Sequence, residues 1–125
     1  MNQSKGSKGY RNLKAWQKAN ELAHAVYDAT EKFPKSELFA LTSQMRRAAV
    51  SVPANIAEGY TRRSIKDKKR FYEISLSSLT ELEFYIDFSR ERSYYDESTY
   101  NRLVELQTET AKILTGLINS LVTGR

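Results

Sequence analysis

From Ser64 to about Arg92 the chain contains no glycine or proline. Within that stretch Tyr72, Leu76, Leu79, Glu83 and Ile86 recur every three or four residues, apolar at all but Glu83. This spacing keeps one face of an α-helix in register. At 1.5 Å per residue the helix is about 40 Å long. Ser64 is placed to cap it, with Asp67 three residues on in the manner of a capping box.

Three further helices are expected on either side. Leu13, Trp16, Ala19, Ala23, Val26, Thr30 and Phe33 share one face, and Pro34 ends that helix because the residue before a proline is pushed out of the helical region. Ser36 then reads as the cap of a second helix, with Glu37 favoured by the helix dipole. Its inner face is Leu41, Met45, Ala48, Val52 and Ile56, and Gly59 is its expected stop. After a turn at Tyr94 and Tyr95, Asp96 is expected to cap a fourth helix with the stripe Leu103, Leu106, Thr110, Ile113, Leu117 and Leu121, ending before Gly124. Short loops between long helices make antiparallel neighbours. The expected fold is all-α, an up-and-down antiparallel four-helix bundle over residues 10–125. Residues 1–9, small and basic with Lys5 and Lys8, are expected to form a disordered arm.

The totals set bounds on function. A chain of 125 residues suits one domain and buries roughly two thirds of its unfolded surface. With no cysteine, thiolate nucleophiles, disulfides and cysteine-held metals are excluded, and a reducing cytoplasm is the expected compartment. No run of about 18 apolar residues marks a membrane span, and Met1 to Tyr10 lack the apolar centre of a signal peptide. The net charge of +5 favours an anionic partner.

Chemistry-bearing patterns are few. His24 is the only histidine and the chain has no cysteine to share a metal with it, so neither a metal nor another cofactor is expected. Ser43, Ser75, Ser77 and Ser78 have no nearby base, and no glycine-rich loop precedes a helix to cradle phosphate. Glu81 and Glu83 are two residues apart on a helix and diverge. No catalytic residue is assigned, and the chain is not expected to be an enzyme.

Helix two breaks the bland pattern twice. Pro53 lies inside it, where it removes a backbone hydrogen bond at a cost of about 3 kcal/mol; the result is either a kink that follows the bundle's curvature or an opening that presents a groove to a partner. Gln44, Arg47, Ser51, Asn55 and Glu58 also share one face. Gln, Ser and Asn suit specific hydrogen bonding, either as a structural seam within the bundle or between subunits, or as a ligand site. Glu83 falls on a stripe that the period assigns to the interior and would need a partner there. Pairing of Glu83 or Glu81 with Arg46 or Arg47 is expected, which adds Arg46, Glu81 and Glu83 to the seam.

Arg62, Arg63, Lys66, Lys68, Lys69 and Arg70 cluster around one acid, Asp67. Cations are unfavourable at a helix N-terminus, so the run suggests binding of RNA or DNA phosphates, with Lys14 and Lys18 adding to the patch. By contrast, Glu81, Glu83, Asp87, Glu91, Asp96 and Glu97 face only Arg90 and Arg92 in their stretch, so charge is unevenly distributed.

The string Leu41-Thr42-Ser43-Gln44-Met45-Arg46-Arg47-Ala48-Ala49-Val50-Ser51-Val52-Pro53-Ala54-Asn55-Ile56-Ala57-Glu58-Gly59 resembles the signature of the bacterial four-helix bundle proteins of the 23S rRNA-intervening-sequence family. Leu13-x-x-Trp16-Gln17-Lys18-Ala19, Tyr27, Phe33-Pro34-Lys35 and Ser78-Leu79-Thr80-Glu81-Leu82-Glu83 are similar to its other blocks, in the same order. The resemblance runs from about Tyr10 to Leu121. Ser75 to Ser77 stand where the family often has Arg-Gly, and Tyr60-Thr61 where it often has Phe-Gly. The resemblance implies a homo-oligomer, typically a pentamer, with kinship to accessory proteins of reverse transcriptases in diversity-generating retroelements that bind nucleic acid and the polymerase. Two functions are therefore carried forward. One is an oligomeric accessory protein bound to RNA or DNA. The other is a protein-interaction scaffold in which Phe71, Tyr72, Leu82, Tyr85 and Ile86 of helix three meet sister subunits or another protein.

Overall fold

A computed structural model describes residues 9–122. The expected basic arm lies outside the described residues except for Gly9, as does the expected stop at Gly124. A 3-10 turn, Gly9–Asn12, leads into α1 (Lys14–Thr30). A second 3-10 turn, Lys35–Glu37, precedes α2 (Leu41–Thr61), followed by α3 (Ile65–Glu91) and α4 (Glu97–Val122). Each helix packs against two others, α1 and α3 both contacting α2 and α4. The cross-section is therefore a ring in chain order, the up-and-down bundle expected from the short loops.

The termini show which residues set the lengths. Ser64 Oγ accepts from Asp67 N at 3.0 Å, and Asp96 Oδ1 accepts from Thr99 N at 2.8 Å, so both expected caps form. α1 ends at Thr30, earlier than Pro34 alone requires. The Thr30 hydroxyl donates to Val26 O at 2.9 Å, and Phe33 leaves the helix to pack its buried ring against Tyr94 and Tyr95, centroids 5.1 and 5.7 Å away. Ser36 does not cap α2. It falls within the 3-10 turn, and Glu37 serves instead, its Oε1 accepting from Leu41 N at 3.3 Å and its Oε2 from the Tyr94 hydroxyl at 2.8 Å.

α2 continues through Pro53 and past Gly59 to Thr61. The expected inner face, Leu41, Met45, Ala48, Val52 and Ile56, is buried throughout. Gly59 is not a stop. It is a buried residue within the last turn of the helix where a Cβ would stand 2.8 Å from Tyr72 Cε1, so it permits close approach of α2 and α3 rather than a left-handed turn. The left-handed residue is Ser93, with φ 62°. Beside it Ser93 N donates to Arg90 O at 2.9 Å and Tyr94 N to Ser89 O at 3.0 Å, a Schellman end to α3.

In α3 the buried face is Tyr72, Ser75, Leu79, Leu82, Ile86 and Ser89. Two phases of one period share Tyr72, Leu79 and Ile86; the structure takes the phase with the serines, which turns Glu83 outward. Ser75 Oγ donates to Val52 O at 2.7 Å and Ser89 Oγ to Met45 Sδ at 3.6 Å, so the buried hydroxyls are satisfied across to α2. In α4 the buried set is Leu103, Leu106, Gln107, Thr110, Leu114 and Ile118, while Ile113, Leu117 and Leu121 are only partly covered. A strict heptad drifts about 20° per repeat against a 3.6-residue helix, which accounts for the slip. Among the described residues no helix is long and apolar enough to cross a membrane.

Candidate nucleic-acid interface

Up-and-down topology brings the start of α1 and the α2–α3 turn to one end of the bundle. Gly9 packs on the ring of Tyr60, and Lys68, in the first turns of α3, donates to Tyr60 O at 2.7 Å while its Nζ lies 5.3 Å from the centre of that ring. Arg11, Lys14, Arg62, Arg63 and Lys66 stand at the same end.

The cations there differ in availability. Lys14, Arg63 and Lys66 are exposed and make no ion pair or hydrogen bond among the described residues. Arg62 and Arg70 both lie over Phe71, 4.6 and 4.5 Å from its centre, so one aromatic ring carries two guanidinium groups. Arg62 also pairs with Glu58. Lys69 reaches Glu73 at 3.8 Å, a half-exposed pair of small energetic value.

Lys18 does not join the patch. It sits between Glu21 at 3.5 Å and Glu109 at 3.2 Å, beside the Arg102–Glu21 pair at 2.7 Å, and clasps α1 to α4. Glu109 above all, with Glu21, holds its ammonium above the ordinary lysine range; Arg102 first, then Lys18, holds the Glu21 carboxyl below its own.

Residues 11–116 match the profile of the 23S rRNA-intervening sequence proteins. The chain belongs to that family. The family description ties its members to ribosomal RNA sequence and so suggests a nucleic-acid-related role. This member of the 23S rRNA-intervening sequence protein family is also similar in fold to a crystal structure from Bacteroides thetaiotaomicron VPI-5482, a protein of unknown function in the S23 ribosomal protein family. The TM-score is 0.77 at 23% identity, over 84% of this chain and 95% of the other. Comparison with curated proteins gives no match.

In this family member the expected polar seam is shorter than its sequence stripe. Ser51 Oγ and Ser78 Oγ lie 2.8 Å apart across α2 and α3, and Asn55 Nδ2 donates to Ser51 O and Oγ at 2.9 and 3.0 Å. Gln44 and Arg47 are exposed at its far end and Glu58 turns to Arg62. The pairing of Arg46 or Arg47 with Glu81 or Glu83 does not occur. Arg46 turns to α1, its Nε donating to Thr30 Oγ1 at 2.7 Å and its guanidinium lying 4.5 Å from the centre of Tyr27. Glu83 is exposed and Glu81 accepts from the Tyr85 hydroxyl at 2.8 Å. The surface expected on α3 shifts as well: Tyr72, Leu82 and Ile86 are core, while Ile65, Ile74, Phe84 and Phe88 are the large exposed apolar residues of that helix.

A groove was one of the two readings of Pro53; the α1 side chains that form its other wall were not foreseen. A groove of 460 Å³ runs between α1 and α2, lined by Tyr10, Trp16, Asn20, Ala23, His24, Tyr27, Val50, Pro53, Ala54 and Ala57. The available signal was Trp16, Asn20, Ala23 and Tyr27 at helical spacing opposite the small residues around Pro53. Among the described residues no group of three metal-ligating side chains converges, at His24 or elsewhere.

Proposed function

We propose that this chain is an accessory protein without a chemical step of its own, working in the cytoplasm as a homo-oligomer and binding RNA or DNA through the basic end of its bundle. The observation that carries this reading is the set of unpaired cations Lys14, Arg63 and Lys66, next to the aromatic-mounted Arg62, Lys68 and Arg70. Cations without acid partners at the start of a helix raise the local potential, and a phosphate backbone relieves it. Membership of a family described by ribosomal RNA sequence supports the same choice. The test is fluorescence anisotropy with structured RNA and duplex DNA over a salt series. Binding that weakens steeply with salt supports the reading; no binding at low salt ends it.

A specific observation favours a second reading, a protein-interaction scaffold. Ile74, Phe84 and Phe88 stand exposed on α3, Phe84 at 62%, and the two phenyl rings stack with centroids 5.9 Å apart. Ile74, Glu81, Phe84 and Phe88 follow one another at seven, three and four residues, which keeps them on one outer helical face. Sister subunits, a polymerase or another protein would cover it, and co-purification of a defined protein after nuclease treatment supports this reading over the first.

A further inference from the structure

The groove between α1 and α2 combines groups that apolar packing alone does not require. Tyr10, Trp16 and Tyr27 supply aromatic rings along it, with Tyr27 42% exposed. The Asn20 amide and the His24 imidazole also line it, and neither has a hydrogen-bond partner among the described residues. Guanidinium groups flank it: Arg11 lies 5.5 Å from the centre of Tyr10, and Arg46 is over Tyr27. Arg47, exposed and unpaired, lies three residues before Val50 and seven before Ala54, on the face that borders the groove. The acid on the same stretch of α2, Glu58, is held by Arg62.

We propose that this groove accepts an unstacked base of single-stranded nucleic acid, with the neighbouring phosphates on Arg11 and Arg47. The inference rests on the nucleic-acid reading above and deepens it by assigning a base site that adjoins the phosphate-binding end at Tyr10 and Arg11. A nucleobase has a π-face for the rings, a donor–acceptor edge for the Asn20 amide and an anionic backbone for the flanking cations. An apolar side chain of a protein partner would match the rings but leave the amide covered and unpaired. The volume of 460 Å³ falls within the ordinary range for small-ligand sites. Pro53 lines the same groove, so the break in the α2 hydrogen-bond ladder lies at the site.

Trp16 is the only tryptophan in the chain and therefore reports on the groove directly. The experiment titrates the intact protein with a short labelled oligoadenylate and with an abasic strand of equal length. Anisotropy reads binding and tryptophan emission reads the groove. The expected result is that both strands bind but only the oligoadenylate quenches Trp16. Ala54→Phe, which fills the groove, should weaken oligoadenylate binding about tenfold, the loss of one stacked base, and leave the abasic strand unaffected. Equal affinity for both strands, with Trp16 emission unchanged or changed alike, overturns the base site while the basic end survives as a phosphate binder. Failure of both strands to bind overturns both readings. A change of solution mass in Ala54→Phe, at native helicity, assigns the groove to self-assembly and also overturns the proposal.

Discussion

Gly59 and Tyr72 are in contact so close that no side chain fits between them: a Cβ on Gly59 would stand 2.8 Å from the buried ring. Gly116, on α4, has nothing within 4 Å of the same position. Alanine should therefore act oppositely at the two sites. Gly59→Ala is expected to cost about 1–3 kcal/mol by overpacking, and Gly116→Ala to gain about 0.5–1 kcal/mol from helix propensity. Thermal melts of the two variants read the difference, and equal shifts would contradict the packing described.

Ser93 holds the left-handed position at the end of α3 without the freedom of glycine. Ser93→Gly should raise the melting temperature, with a gain of about 1 kcal/mol. Ser93→Val should lower it.

Alkaline pH should unfold the bundle through its tyrosines. Burial pushes the Tyr95 and Tyr72 hydroxyls above the ordinary value of 10.0, and hydrogen bonds to Glu81 and Asp87 push Tyr85 and Tyr100 the same way. Values raised in the folded state give stability that is complete below pH 10.0 and lost as pH rises past it. Tyr95 also donates to Ile86 O at 2.6 Å. Tyr95→Phe should cost about 1 kcal/mol at neutral pH and flatten the alkaline decline in a urea-melt series. An unchanged slope would count against burial of that hydroxyl.

Charge removal should sort the basic residues by their pairing. Replacing Arg63 and Lys66 with glutamine is expected to reduce the slope of log affinity against log salt by about two. Lys18→Gln should leave that slope unchanged and lower stability slightly, since its ammonium serves Glu109 and Glu21. A larger effect on binding from Lys18 than from Arg63 would place the interface elsewhere.

Self-assembly should depend on the outer face of α3. Phe84→Glu combined with Phe88→Glu is expected to reduce the solution mass to the 14.4 kDa of one chain, with far-ultraviolet circular dichroism preserved. Light scattering coupled to gel filtration reads the result, and an unchanged assembly would exclude this face.

Much of the fold was legible because its signals are local. The hydroxyl of Ser64 and the carboxylate of Asp96 cap at short range, and the inner face of α2 follows from spacing alone. Features that depend on a neighbouring helix were not legible. Gly59 looked like a terminator because its reason is the Tyr72 ring. Glu83 looked interior because two phases of one period share three residues, and the buried hydroxyls of Ser75 and Ser89 select between them only through acceptors on α2. The candidate interface was legible as a run of cations, but not which were engaged: the Lys18 partner Glu109 is distant in sequence, and the groove needs faces of two helices to exist.

The α2–α3 pair has a consequence for how the molecule opens. Its bonds are buried or half-buried and cross a short turn: Ser51 to Ser78, Ser75 to Val52 and Ser89 to Met45. The ion pairs from α1 to α4 are exposed to water and salt. Local opening is therefore expected to release α4 while the α2–α3 hairpin holds. In native-state hydrogen exchange the slowest amides should lie on that hairpin, making it the cooperative unit against which the other two helices fray.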